Sequence, residues 1–454
     1  MSENVFHQRL QRKWYWTVCM TLTGYVCMGR SFAYWGIPPW HVFVGEVVLA
    51  CFLFCGPLSG ESRWPWAALK YRGLQRFCRW QLILLAFGGL QVFHGVLAGY
   101  PPLTALRDLA FDYYPLYFFV GAWVASQNMK FLAVVLKFLA WTNGLYGLAY
   151  ILVLNRFAWF YPGLSHEIDP VRIFGQPLFS GAILLGILSL NKDLRGQWLP
   201  LVLNMAVLLG MVTRGEWLAF GVGLVVWAGL TKNFKKLAMS GLAALVLLVM
   251  LYVSGLSIDA PEGRGGTISA TDLVGRLIAP VNEDLASQYS SDAQMHEETV
   301  AFRTLWWLAI WDSVHQSASR ALFGYGYGYA LGDLVPYLEG DFIRTPHNVF
   351  FYALGYTGWI GVAIFGFLLT EIARLVWAAY RRTGQPFGLV FLVVTLTCAL
   401  FTAFFETPYG AIPFYIITGA ACAPLLHAKT QNLPVPAPLR GHGHVLKPLP
   451  DAAG

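Results

Sequence analysis

Charge is what this sequence has least of. Only 12% of its 454 residues are Asp, Glu, Lys or Arg, while 57% are hydrophobic and 16% aromatic. A soluble globular chain carries about 25% charged residues. A water-exposed surface for a chain of this length cannot be assembled from so few charges. That excludes a soluble enzyme, a DNA-binding protein and a disordered chain as working classes. Acids are the scarcer sign, 24 against 31 bases, for a formal net charge of +7. In a soluble chain such an excess points to nucleic acid; here the bases sit in short polar segments between apolar runs, the pattern of cytoplasmic loops. Cysteine is sparse as well. Of the seven (Cys19, Cys27, Cys51, Cys55, Cys78, Cys398 and Cys422), six lie inside apolar runs and Cys78 stands beside a basic stretch. Their odd number and spacing exclude a disulfide framework and a cysteine metal site, leaving small buried hydrophobes. No Walker loop, dinucleotide fingerprint or internal repeat is visible, and the Gly-Tyr stretch LFGYGYGYALG lacks the lysine of a phosphate loop. No small-residue cleavage site follows the first apolar run, so Arg9, Arg12 and Lys13 read as the inner flank of a membrane helix.

Long apolar runs are what the chain has instead. A membrane-spanning helix needs roughly 20 mostly apolar residues. Candidate runs lie near 14–29, 40–58, 80–98, 110–126, 131–154, 173–190, 197–213, 216–230, 237–254, 347–372, 386–405 and 410–427. The expected fold is an all-α integral membrane protein of about twelve transmembrane helices with one large, partly helical periplasmic loop. Residues 1–254 form an N-terminal bundle of about nine spans, 255–346 the loop, 347–427 the C-terminal helices and 428–454 a Pro-, Gly- and His-rich cytoplasmic tail. With both termini inside, 21 of the 31 Lys and Arg fall inside, including all ten lysines. The ten outside are all arginine. Positive-inside bias accounts for the missing outer lysine but not for the retained outer arginine. Arginine is the better bidentate ligand for phosphate and carboxylate; salt bridges to outer acids are the plain alternative.

The residues able to carry chemistry cluster at the outer ends of these runs. His347 and Asn348 open the run after the long loop, with Pro346 just ahead, a placement suited to a helix start. An imidazole at the membrane–water boundary accepts protons readily; an interfacial histidine without a chemical task is the alternative. Arg214 and Glu216 share a tight outer turn in MVTRGEW, where charges also simply mark the interface. Arg172 (RIFGQP) and Arg107 (beside Asp108 in TALRDLAFDYYP) stand at two further outer ends, and Arg303 lies in the loop near Glu297 and Glu298. Arginines converging near the outer boundary would suit a diphosphate whose lipid tail stays in the bilayer. Asn348 reads as a helix cap or a sugar contact. Glu406, in FFETPYG, is another outer acid, and His442 and His444 in the tail read as a mobile segment rather than a metal site.

The order His347, Asn348, nine residues, Gly358, two residues, Gly361 resembles the His-Asn-x9-Gly-x-x-Gly signature of O-antigen ligases and related polymerases. RIFGQP, TRG, RTLWW and LFGYGYG precede it in the family's order, and the likeness covers roughly residues 100–410. The resemblance implies a glycosyltransferase that uses no metal or other cofactor. Its donor is a glycan on undecaprenyl diphosphate at the periplasmic face of the bacterial inner membrane; its acceptor is lipid A–core in a ligase and another lipid-linked glycan in a polymerase. It further implies His347 as catalytic base, with Glu216 as its rival or as an orienter of arginine, and Arg214, Arg172, Arg303 and Arg107 as diphosphate ligands. The competing class is a transporter or flippase of lipid-linked sugars, for which paired broken helices in inverted repeats are expected.

Overall fold

The structure is a computed structural model. It describes residues 3–37, 42–58, 72–157, 159–160, 171–190, 196–261, 267–278, 282, 285–286, 289, 293–335 and 344–427. The expected tail with His442 and His444, and the basic residues Arg63 and Lys70, lie outside the described residues.

The chain is mostly helical. In order it forms α1 (Glu3–Met28), α2 (Val44–Leu58), α3 (Arg72–Leu97), α4 (Pro102–Asp108), α5 (Tyr117–Gln127), α6 (Phe131–Leu152), α7 (Ser180–Leu190), α8 (Trp198–Gly210), α9 (Arg214–Thr231) and α10 (Phe234–Ser254). Then come α11 (Ala270–Ile278), α12 (Ala293–Val314), α13 (Ala318–Phe323), α14 (Val349–Thr383), α15 (Phe387–Ala399) and α16 (Pro408–His427). Among the described residues, sheet is confined to two small antiparallel pairs, Gly36–Ile37 with Val42–Phe43 and Ile258–Asp259 with Thr267–Ile268. Among the described residues, four helical stretches are long and apolar enough to cross a membrane: Leu74–Leu97, Phe131–Leu152, Val349–Thr383 and Pro408–Leu426. Val44–Phe54, Ser180–Leu190, Trp198–Gly210 and Phe387–Ala399 are apolar but shorter.

Several apolar runs depart from simple spans, each for a local reason. The run at 110–126 breaks into Ala110–Tyr113, a 3-10 turn at Tyr114–Leu116, and then α5. Pro115 lacks an amide proton and interrupts the helical ladder there. The run at 173–190 becomes helical only at Ser180: Pro177 has no amide proton for a helical ladder, and Phe179 takes a positive φ of 65°. The run at 347–372 continues to Thr383 as α14, which kinks at Gly358 (φ 62°).

The core is built on α5 and α16. A Cβ at Gly121 would meet the carbonyl oxygen of Ile416, and one at Gly419 that of Phe118, so the two backbones approach as closely as small residues permit. The buried rings of Phe391, Phe405, Phe414 and Tyr415 fill the space beside them. On the outside, α10 exposes Leu242, Leu245, Val246, Val249, Met250 and Val253. A surface this apolar is unfavourable in water and natural against lipid.

Candidate active site

The chain turns from α8 into α9 through Met211, Val212 and Thr213, with Val212 at a positive φ of 53°. The indole Nε1 of Trp217 donates to Leu208 O at 2.7 Å and ties the first turn of α9 back onto the end of α8. This tight reversal fixes Arg214 and Glu216 in the first turn of α9. A carboxylate there faces the positive end of the helix dipole.

Opposite stands the start of α14. Asn348 is its N-cap: the side-chain oxygen accepts from the amides of Phe350 (2.9 Å) and Phe351 (3.3 Å), while Nδ2 donates to Leu400 O at 3.0 Å. Of the two roles open from sequence, capping is the one its contacts fill, and the residue is 7% exposed. Just before it, His347 adopts a φ of 55°. A non-glycine residue in the left-handed region costs of order 1–3 kcal/mol and persists only where its surroundings hold it. Trp307 contributes to that hold, donating its Nε1–H to Pro346 O at 2.7 Å.

Two further helices, α11 and α12, complete the lining of the site. On α12, Arg303 lies one turn before Trp307, and its Nη1 donates to Phe401 O at 3.0 Å. On α11, Arg276 is 2% exposed, a guanidinium taken almost wholly out of water.

Between these elements lies a cavity of about 1210 Å³. Arg214, Glu216, Arg276, Arg303, Trp307 and His347 line its polar part. Leu218, Val222 and Val225 of α9 and Val394 and Cys398 of α15 line an apolar part. The three α9 side chains are also exposed at the molecular surface, so the apolar wall runs continuously from the arginines to the outside of the bundle. Burial, and then the nearby charge of Arg276, lower the pKa of Arg214 from its ordinary value. A guanidinium stays protonated regardless.

The remaining residues of the sequence reading lie elsewhere. Arg172 donates from Nη1 to Asn155 O at 2.6 Å and covers the Phe160 ring at 5.7 Å. Arg107 is exposed and donates from Nη2 to Tyr34 Oη at 3.1 Å. Neither lines the cavity. Glu406 sits between two lining residues, Phe404 and Tyr409, with Oε2 accepting from Phe404 N at 2.8 Å. Burial raises its pKa to about 7, against the opposing pull of backbone amides at Phe404 and Phe405. Sequence reasoning passed over Arg276 and Trp307. The signal for Arg276 was present: an outer arginine inside the amphipathic segment DLVGRLI.

Long apolar helices and an exposed apolar surface mark this chain as a membrane protein, and its cavity joins arginines to an apolar wall. Residues 199–366 match the family model described as O-Antigen ligase, which supports the O-antigen ligase and polymerase superfamily for this chain. That match indicates a ligase- or polymerase-type function in polysaccharide biosynthesis. No curated protein matches the chain significantly.

Proposed function

We propose that this protein is a membrane glycosyltransferase of the O-antigen ligase type. In this reading it moves a glycan from undecaprenyl diphosphate to a hydroxyl of lipid A–core at the periplasmic face of the bacterial inner membrane. The supporting observation is the make-up of one cavity, with three arginines, a histidine and a glutamate at one end and an apolar wall at the other. About twelve spans with both termini cytoplasmic put residues 255–346 and the cavity on the outer side, where the lipid-linked donor and the acceptor meet.

The chemistry follows from these groups. The polyprenyl chain lies along Leu218, Val222 and Val225, and the diphosphate sits among Arg214, Arg276 and Arg303. His347 accepts the proton of the acceptor hydroxyl as its oxygen bonds to the anomeric carbon. The bond from that carbon to the phosphate oxygen breaks, and the lipid diphosphate departs with the electron pair. Fixed guanidinium groups stabilise the charge that develops on the leaving group, so the positive charge comes from arginine and no metal is invoked. Glu216 is the alternative base, or the group that orients Arg214.

The test is purified protein in lipid, given undecaprenyl diphosphate-linked glycan and candidate acceptors. One transfer to lipid A–core supports the ligase. A ladder growing on the carrier makes the protein a polymerase. Movement of intact donor between leaflets without bond cleavage would replace both with a transporter.

A further inference from the structure

Arg107 reads from sequence as a diphosphate ligand; its neighbour Asp108 is engaged with Arg344 and Gly328. It ends α4 and is 8% exposed. Its Oδ2 accepts from Arg344 Nη2 at 2.6 Å and from the amide of Gly328 at 2.9 Å. Arg344 closes the ring by donating from Nη1 to Gly328 O at 3.3 Å. Both backbone groups of Gly328 are thus taken by the two partners of one ion pair. Gly328 has a φ of +97°, and a Cβ there would stand 2.9 Å from Tyr100 Cβ, so the ring admits only glycine. The carbonyl of Arg344 is held as well, accepting from Tyr356 Oη at 3.5 Å.

Arg344 lies three residues before His347. The segment between them is anchored in sequence by the Asp108 pair, by Trp307 on Pro346 O, and by the Asn348 cap immediately beyond. His347 occupies the strained position in the middle. Relaxing it to an extended φ would redirect its side chain, and such strain persists only when both flanks are fixed. The Trp307 and Asn348 contacts come from elements that pack against α14 itself. Asp108 is the anchor from the other end of the chain, 236 residues away.

We propose that Asp108, acting through Arg344, is a positioning residue for His347. It touches no substrate; it holds the segment whose geometry aims the imidazole into the cavity. The inference rests on reading His347 as the base, and the experiment separates the two claims.

Full-length protein in nanodiscs is compared as wild type, Asp108→Asn and Arg344→Lys. The first readout is the rate at which diethyl pyrocarbonate modifies His347, followed on its own peptide by mass spectrometry. The second is steady-state transfer. A released segment shifts the His347 modification rate several-fold in Asp108→Asn. It also lowers kcat on the order of 10²-fold, the effect of a small misplacement of a reacting group. KM for the donor stays within about two-fold, since the arginines are untouched. Arg344→Lys, which keeps the charge but loses the fork, falls between. If Asp108→Asn does not fold, Arg344→Lys decides with the same readouts. An unchanged modification rate overturns the proposal, as does a loss carried by donor KM alone. Undiminished turnover in His347→Ala would remove the base assignment, while the modification rate would still decide whether Asp108 holds the segment.

Discussion

Trp307 on α12 and Phe351 in the first turn of α14 stack with ring centroids 5.5 Å apart and planes 9° from parallel. Through this stack and the bond to Pro346 O, a helix of the long loop braces the segment that bears His347. Trp307→Phe keeps an aromatic ring but loses the indole N–H. One lost hydrogen bond is worth about 1 kcal/mol, so kcat should fall roughly five-fold with the fold intact. Trp307→Ala should cost more, since it also removes cavity wall. Equal kcat in wild type and Trp307→Phe would show that the bond to Pro346 contributes nothing to turnover.

The cavity separates two groups of arginines that look alike in sequence. Arg214, Arg276 and Arg303 line it, whereas Arg172 and Arg107 are engaged at Asn155 and Tyr34. Alanine at any of the first three should lower transfer on the order of 10²–10³-fold, the scale for removing one preorganised donor to a developing anion. Lysine should restore part of it, because a point charge lacks the bidentate fork. Alanine at Arg172 or Arg107 should leave transfer within about ten-fold of wild type at normal protein level. A collapse in Arg172→Ala, with wild-type donor turnover in Arg276→Ala, would reverse the assignment.

That division explains how far the sequence could be read. Helices follow the apolar runs because a run of this length leaves the backbone few other ways to satisfy its polar groups in lipid. Residues at the ends of runs, such as Arg214, Glu216 and His347, were recognisable because the end of a run fixes depth. It does not fix direction around the bundle. Arg172 and Arg214 both stand near the ends of runs, but Arg172 is bridged to Phe160 away from the cavity, whereas the reversal at Val212 places Arg214 in its lining. The loop lacks even the cue of depth: the amphipathic segment DLVGRLI marks Arg276 but not what it faces, and the link from Asp108 to Arg344 emerges only from tertiary packing.

Orientation is testable without any substrate. The outer placement of residues 255–346 requires that a cysteine replacing Asp292 react with a membrane-impermeant maleimide in intact cells. A cysteine replacing Lys235, at the start of α10, should react only after permeabilisation. Both are made in a background with Cys51, exposed in the structure, replaced by serine. The reverse pattern would move the cavity to the cytoplasmic side and remove the proposed acceptor from reach.

His347→Ala should lower turnover about 10²–10⁴-fold, the usual contribution of a general base, while donor binding survives on the three arginines. A base also produces an acid limb in the pH–rate profile, with activity falling as the imidazole protonates. Glu216→Gln is the control, because a carboxylate gives a limb of the same sign. Retained turnover in His347→Ala with loss in Glu216→Gln would transfer the role to Glu216. Loss of donor binding in both would make the two residues part of the binding site.

Glu406 gives a stability signature independent of catalysis. Burial holds its pKa at about 7 in the folded protein, against an ordinary carboxyl value of 4.5. Between these two values the folded state binds a proton that the unfolded state has released. Stability contributed by this group therefore falls as pH rises from about 4.5 to about 7 and is level above that. The sign is opposite to that of a carboxylate in a salt bridge, because here desolvation of the charged form dominates. Glu406→Gln removes the titration but keeps the shape and an acceptor oxygen for the amide of Phe404. In detergent, its thermal transition should lie closer to that of wild type at pH 5 than at pH 8, where the variant should be the more stable of the two. A difference between the proteins that does not change with pH would mean that Glu406 carries no shifted proton, and that its contact with Phe404 acts alone.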